Sequence, residues 1–449
     1  MSDSLNSFLF STPEMTRVFS SQQHLRAMMR FEWGLTAALE KQAMAEPGSA
    51  SILESLLDAG FVDRDVLERE ARDGGNIAIP FVRQLTAAVK ARDERASRAI
   101  HLGATSQDLL DTALVLQMRD AVALLDDAIT RLDAVLTNQV RAHRDTILTG
   151  RTWLQPGPPT TFGLKLAGTL AALRRSRDRI RSASQRGLVL EFGGAVGTLA
   201  VLGSAGSAVS AELARLLDLP EPDLPWHTQR DSIVEMVQVL AALTGSLAKF
   251  ARDIALLMQA EVGEASEETG GERGGSSTMP HKHNPVACAA VIAAHTKMTG
   301  LAATILYAMP QEYERGLGLW QVEWDTVPEA FCLTAAAFAY SIDIAEGLTV
   351  NAARMQANFD ALLGLTLSEA VSAALAPKIG RAAAHDLLRN AIARVAEEKR
   401  HLSDVLKQTP EIAAHLSSDE IEALMDPRAY LGSAQRFIAR VLGEADADR

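Results

Sequence analysis

The chain has 449 residues, 47% of them hydrophobic but only 5% aromatic, and a net charge of −12. That length holds two or three domains with a substantial core, and a composition rich in alanine and leucine favours long helices over sheets. The acidic balance argues against nucleic acid or an anionic membrane surface as partner, and any polyanionic ligand must be met by cations gathered locally.

Residues 1–20 lack a basic start followed by an apolar stretch, so no signal peptide is expected there. From Ala104 to Thr149 there is neither glycine nor proline, and apolar residues recur at Leu114, Met118, Val122, Leu125, Ile129, Leu132, Leu136 and Val140. Steps of three and four mark one buried helical stripe. If mostly helical, this segment spans about 60 Å at roughly 1.5 Å per residue, too long to bury its stripe inside one small domain. A long multi-helix bundle extended across subunits solves that problem. Further helices are predicted over about 160–186, 229–262, 286–308 and 326–348, with glycine- and proline-rich breaks between them. The uncharged run Phe192–Ala211 holds five glycines and three serines and is rejected as a membrane span. These breaks divide the chain into an N-terminal helical domain (1–110), a central long-helix bundle (111–358) and a C-terminal helical cap (359–449) ending in an amphipathic helix. Cys288 and Cys332 belong to no CxxC or Cys/His cluster, which fits two small core thiols in a reduced, cytoplasmic setting.

The chemistry concentrates in Gly274-Gly275-Ser276-Ser277-Thr278-Met279-Pro280-His281-Lys282-His283-Asn284-Pro285. Lys282 as a point charge and Asn284 as a directional donor suit a carboxylate, and Ser276 sits where it can exchange a proton with the carbon beside it. The plainer alternative is a flexible linker before a helix. Four glycines among residues 270–275 make closure of this loop over a substrate feasible.

The stretch resembles the signature loop of the fumarase/aspartase superfamily, GSSxMPxKxNP. Two further superfamily segments stand upstream in the expected order. One is His101-Leu102-Gly103-Ala104-Thr105-Ser106-Gln107-Asp108, running on to Asp111-Thr112; the other is Arg151-Thr152-Trp153-Leu154-Gln155-Pro156, with Pro159-Thr160-Thr161-Phe162-Gly163 after it. The resemblance covers nearly the whole chain. It implies an all-α fold of three helical domains around a long central bundle, assembled as a homotetramer whose active sites each draw on three subunits. It also implies proton removal beside a carboxylate, a doubly charged aci-carboxylate intermediate and loss of a group from the β carbon. By match, Ser276 is the base, with Lys282 beside it, and Asn284, Ser106, Gln107 and Thr160 bind substrate. Ser106 also reads as a helix N-cap, a task Asp108 or Asp111 can share, and Thr160 or Thr161 as a cap of the next helix.

Departures from the superfamily pattern narrow the reaction. Relatives that protonate their leaving group carry a histidine where this chain has Trp153 and a supporting glutamate where it has Ala289. Adenylosuccinate lyases have another histidine where Asn76 stands. Their phosphate-binding serine and arginine fall on Trp320 and Trp324, while Arg315 is retained. A carboxylate leaving group needs no acid, since its conjugate acid has a pKa of about 4. Trp153 and the Gly316-Leu317-Gly318…Trp320-Gln321…Glu323-Trp324 segment resemble the branch of bacterial 3-carboxy-cis,cis-muconate cycloisomerases. The expected activity is therefore closure of a tricarboxylate diene, 3-carboxy-cis,cis-muconate, to 4-carboxymuconolactone in protocatechuate breakdown, with Arg315 and Trp153 lining the substrate. Two alternatives are a lyase that releases fumarate from adenylosuccinate or a similar compound, and an inert helical protein on the same scaffold. His101 and His281 are each open to a proton-shuttle or a structural role, and His283 has none assigned. No HExxH, metal-loop spacing or P-loop occurs, so neither metal nor nucleotide cofactor is expected.

Overall fold

A computed structural model describes residues 5–57, 60–267, 274–275, 278–279 and 281–444. The fold is all-α. Among the described residues, long helices run over Ser106–Ala142, Phe162–Gly187, Asp231–Leu257, Val286–Tyr307 and Leu319–Glu346. The chain forms two compact units, one of Met1–Ala128, Ser176–Gly245 and Ala293–Ala337, the other of Ile129–Arg175, Ser246–Ile292 and Phe338–Arg449.

The 37-residue Ser106–Ala142 helix carries the predicted stripe. Leu114, Met118, Leu125, Ile129, Leu132, Leu136 and Val140 are buried, and Val122 is half-buried. Burying each of these side chains contributes about 1.5–3 kcal/mol, which favours this helix over any competing structure. Cys288 and Cys332 are both buried thiols.

In the first unit, Ser21–Lys41 packs on Gly206–Leu217, and Gly34 admits Leu213 so closely that a Cβ there would lie 2.9 Å from its Cδ1. The stretch before the first long helix turns at Gly103 (φ +81°), where a Cβ would strike Leu202 at 2.7 Å. Only glycine fits that turn.

In the second unit, an antiparallel hairpin joins the first two long helices: β1 (Ile147–Thr152) pairs with β2 (Gln155–Thr161), with Thr152 opposite Gln155. The two-residue turn is Trp153-Leu154, both left-handed at φ 55° and 62°. Such turns normally use Asn-Gly, so two bulky residues there store strain. A separate C-terminal core gathers Val371, Leu375, Leu388, Val395, Leu402, Leu406 and Ile412 among short helices, and the chain's last described helix is Ala434–Leu442.

Candidate active site

In the first unit, the start of the Ser106–Ala142 helix is a knot of polar groups. Asp108 is fully buried and accepts the backbone N–H groups of Thr105 (2.8 Å), Gly193 (3.0 Å) and Gly194 (2.9 Å). The cap is thus closed by Asp108 reaching back to Thr105, and the Ser106 hydroxyl bonds no described residue. Ser106 remains half-buried at a helix N-terminus, where free N–H groups and the helix dipole favour an anion.

Gln107, 1% exposed, has every amide hydrogen committed. Its Nε2 donates to the His227 carbonyl (2.7 Å) and to Asp111 Oδ2 (3.1 Å), while its Oε1 accepts Arg315 Nε (2.7 Å). Arg315 Nη1 also donates to the Thr105 hydroxyl at 2.6 Å. Ser106, Gln107 and Arg315 are therefore brought together, and Thr105 joins them. Thr105 belonged to the motif but carried no signal of this role.

Behind them lies a network that no sequence spacing pointed to. Arg230 is completely buried, and its fork grips Asp111 (2.7 and 3.1 Å) and Glu323, with Nε 2.9 Å from Glu323 Oε1. Trp320 Nε1 donates to Asp111 Oδ1 at 2.9 Å, and the Trp324 ring meets Trp320 edge-on at 4.9 Å. Burial pushes the Glu323 carboxyl above the usual range, against the pull of Arg230.

Asp108, Glu191 and His227 are all buried and bring ligand atoms within 4.8 Å of one another. That spacing would suit a metal ion, but the donor set is already in use. His227 Nε2 is 2.6 Å from Asp108 Oδ1, and Glu191 Oε2 accepts the Trp226 N–H at 2.6 Å. Glu191 Oε1 lies 3.1 Å from His227 Nε2 without a hydrogen bond. Burial first, then the charges of Asp108 and Asp111, push the Glu191 carboxyl up to about 9.

His101 has a positive φ of 57° and a carboxylate partner, buried Glu32. Burial opposes its cationic form, but the charge and hydrogen bond of Glu32 outweigh that and raise its pKa.

In the second unit, the signature loop is closed at its neck. Gly274 carbonyl accepts both the backbone N–H (2.8 Å) and Nδ2 (3.1 Å) of Asn284. Glu267 then caps the Val286–Tyr307 helix through the Ala287 and Cys288 N–H groups, each at 2.9 Å. Lys282, His281 and His283 are exposed, and Lys282 bonds no other described side chain. Ser276 lies outside the described residues. Trp153 is 98% exposed at the hairpin tip. Thr160 pairs opposite Leu148 and lines a cleft of about 550 Å³ with Arg151, Lys165 and Lys249.

A model of the lyase family matches residues 62–300, and one of the adenylosuccinate lyase C-terminus matches residues 364–441. The 3-carboxy-cis,cis-muconate cycloisomerase of Pseudomonas aeruginosa is 48% identical over 98% of this chain and 95% of its own length. The crystal structure of 3-carboxy-cis,cis-muconate lactonizing enzyme from Pseudomonas putida superposes with a TM-score of 0.92 at 45% identity, covering 98% of each chain. That of beta-carboxy-cis,cis-muconate cycloisomerase from Acinetobacter calcoaceticus gives 0.92 at 38%, covering 98% of this chain and 100% of the other. The chain therefore belongs to the lyase family of the fumarase/aspartase superfamily. Within that superfamily, it is similar from end to end to the bacterial 3-carboxy-cis,cis-muconate cycloisomerases.

Proposed function

We propose that this protein is a cycloisomerase that closes 3-carboxy-cis,cis-muconate to 4-carboxymuconolactone in protocatechuate catabolism. One carboxylate oxygen forms a C–O bond to the β carbon, and the displaced π pair moves onto the carbon beside a second carboxylate. The resulting aci-carboxylate takes a proton at that carbon from Ser276, and solvent returns one to the serine. One proton is consumed as a trianion becomes a dianion. Lys282 stabilises the Ser276 alkoxide; Arg315, Ser106 and Asn284 hold the carboxylates, Gln107 acts with Arg315, Thr160 lines the pocket and Trp153 supplies an apolar wall. No cofactor takes part.

The observation that carries this reading is the indole pair Trp320–Trp324, joined through Asp111 and Gln107 to Arg315. It leaves one arginine for a carboxylate and apolar rings where a nucleotide phosphate would need anchors.

The enzyme works in the cytoplasm as a homotetramer, with each site shared by three subunits. Two features support the assembly. The Val286–Tyr307 helix is apolar enough to cross a membrane, yet only 33% of its most apolar stretch is buried in its own chain. The strained Trp153-Leu154 tip presents two large apolar side chains outward. Both are surfaces that a partner subunit covers.

The test is an ultraviolet assay with fresh 3-carboxy-cis,cis-muconate, run beside adenylosuccinate. Rapid loss of the diene absorbance with the lactone as product is expected. An unchanged diene with fumarate release would replace this reading with the C–N lyase, which the match of residues 364–441 keeps in view.

A further inference from the structure

We infer that Gln107 is not a ligand of the substrate but a positioning residue, which together with Thr105 holds Arg315 as a bare cation for one substrate carboxylate. This rests on the reading of the site as one that binds a polycarboxylate.

The argument begins with what an amide has to offer: two N–H donors and one carbonyl acceptor. Both Gln107 donors are spent on buried acceptors, the His227 carbonyl and Asp111. Its remaining atom, Oε1, is an acceptor, and an acceptor repels a carboxylate. With 1% of the residue exposed, freeing a donor would leave the buried His227 carbonyl without its bond or take one from Asp111, whose charge Arg230 and Trp320 also hold. The geometry leaves Gln107 one outward task, which is to receive Arg315 Nε.

Arg315 is the complementary half. Its two anchors, Gln107 Oε1 and Thr105 Oγ1, are both neutral. Two other arginines show the contrast, being neutralised: Arg230 by Asp111 and Glu323, and Arg151 by Glu264 at 2.7 Å. Arg315 forms no ion pair with a described carboxylate, and three of its five N–H donors bond no described residue. A half-buried guanidinium oriented by neutral acceptors keeps its full charge for an incoming anion, and its planar fork suits a carboxylate. Gln107 in turn is fixed by Asp111, which is itself held by Arg230 and Trp320. The buried ion network thus sets the direction of Arg315 without discharging it.

The experiment is a double-mutant cycle of Gln107→Met and Arg315→Met, read as KM for the diene and as calorimetric Kd for tricarballylate, a non-reacting tricarboxylate. Each single change should weaken both constants by about tenfold or more, and Gln107→Met should add less than about twofold once Arg315 is gone. Effects that multiply would make Gln107 an independent ligand and overturn the inference. Thr105→Val supplies a second probe that leaves the buried amide alone: it should raise KM with little change in kcat, and Thr105→Ser should restore it. A Thr105→Val enzyme with wild-type KM would also overturn it. If wild type leaves the diene unchanged, the cycloisomerase reading falls, and the cycle in tricarballylate Kd decides the inference on its own; failure of wild type to bind that probe counts against it.

Discussion

Glu32 grips His101 twice: its Oε1 lies 2.6 Å from the imidazole Nδ1, and its Oε2 accepts the His101 backbone N–H at 3.0 Å. The pair ties the centre of the Ser21–Lys41 helix to a residue in left-handed conformation five positions before Ser106. Because Glu32 is fully buried and His101 is largely so, the contact is shielded from solvent and its protonation is linked to folding.

The sign follows from the direction of the shift. The folded pKa of His101 is raised, so its contribution is fully present below the ordinary histidine value of about 6.5 and is lost as pH rises through the folded value. Wild type should lose stability across that window relative to His101→Gln. Thermal melts from pH 5.5 to 9 provide the check, and parallel curves for the two proteins would rule out the linkage.

Glu191 behaves in the same direction over a wider range. Its carboxyl, pushed to about 9, is neutral in the folded chain and ionised in the unfolded one between its ordinary value and about 9. Stability should therefore fall with rising pH across that interval, by no more than about 1.4 kcal/mol per pH unit. Glu191→Gln keeps the acceptor for the Trp226 N–H and removes the ionisable group, so its melting temperature should vary less with pH and exceed that of wild type at pH 8.5. A variant whose melting temperature varies with pH as much as that of wild type would rule out the raised pKa.

The long-helix frame offers a graded test of packing. Leu132 is completely buried and Val122 is half-buried on the same stripe. Leu132→Ala should cost about 2–5 kcal/mol, and Val122→Ala markedly less. Equal losses in chemical denaturation would mean that the chain's own burial does not set the energetics, as when partner helices cover Val122.

How much of this was legible beforehand differs by residue. The stripe from Leu114 to Val140 could be read because helical periodicity repeats every three or four residues and burial follows it. The β1–β2 hairpin could not, since Pro156, Pro158 and Pro159 argue against a strand; a two-stranded ribbon has only edge strands, where proline is tolerated. The signature loop and the Ser106-Gln107 pair were visible as motifs. A motif names a residue without saying what it bonds, so Gln107 read as a ligand while its donors were already taken. The Arg230–Asp111–Glu323 cluster joins groups some 93 and 119 positions apart, and such pairings leave no local pattern.

Ser276→Ala probes the assigned proton donor, the base of the reverse reaction. Removing its hydroxyl should lower turnover by orders of magnitude, roughly the 10²–10⁴-fold typical of general acid–base groups. Melting temperature and assembly are the controls, and both should match wild type. Near-normal turnover would transfer the proton to another group, with Lys282 and His101 the next to test.

Gly274→Ala separates loop geometry from chemistry. Gly274 has φ +71°, and a Cβ built there would lie 2.5 Å from the Asn284 carbonyl oxygen. Since backbone is the obstacle, no side-chain rotation relieves the clash, and the neck must open. Opening it breaks the two bonds from Asn284 to the Gly274 carbonyl and misplaces Lys282, two residues before Asn284. The Glu267 cap and the Val286–Tyr307 helix lie beyond the neck and keep their own hydrogen bonds. The variant should therefore lose about tenfold or more in kcat, as misplaced catalytic groups do, while its melting temperature moves by only a few degrees. Loss of fold would instead mean that the neck holds the second unit together, and full activity would mean that the Gly274–Asn284 contact does not set the position of Lys282.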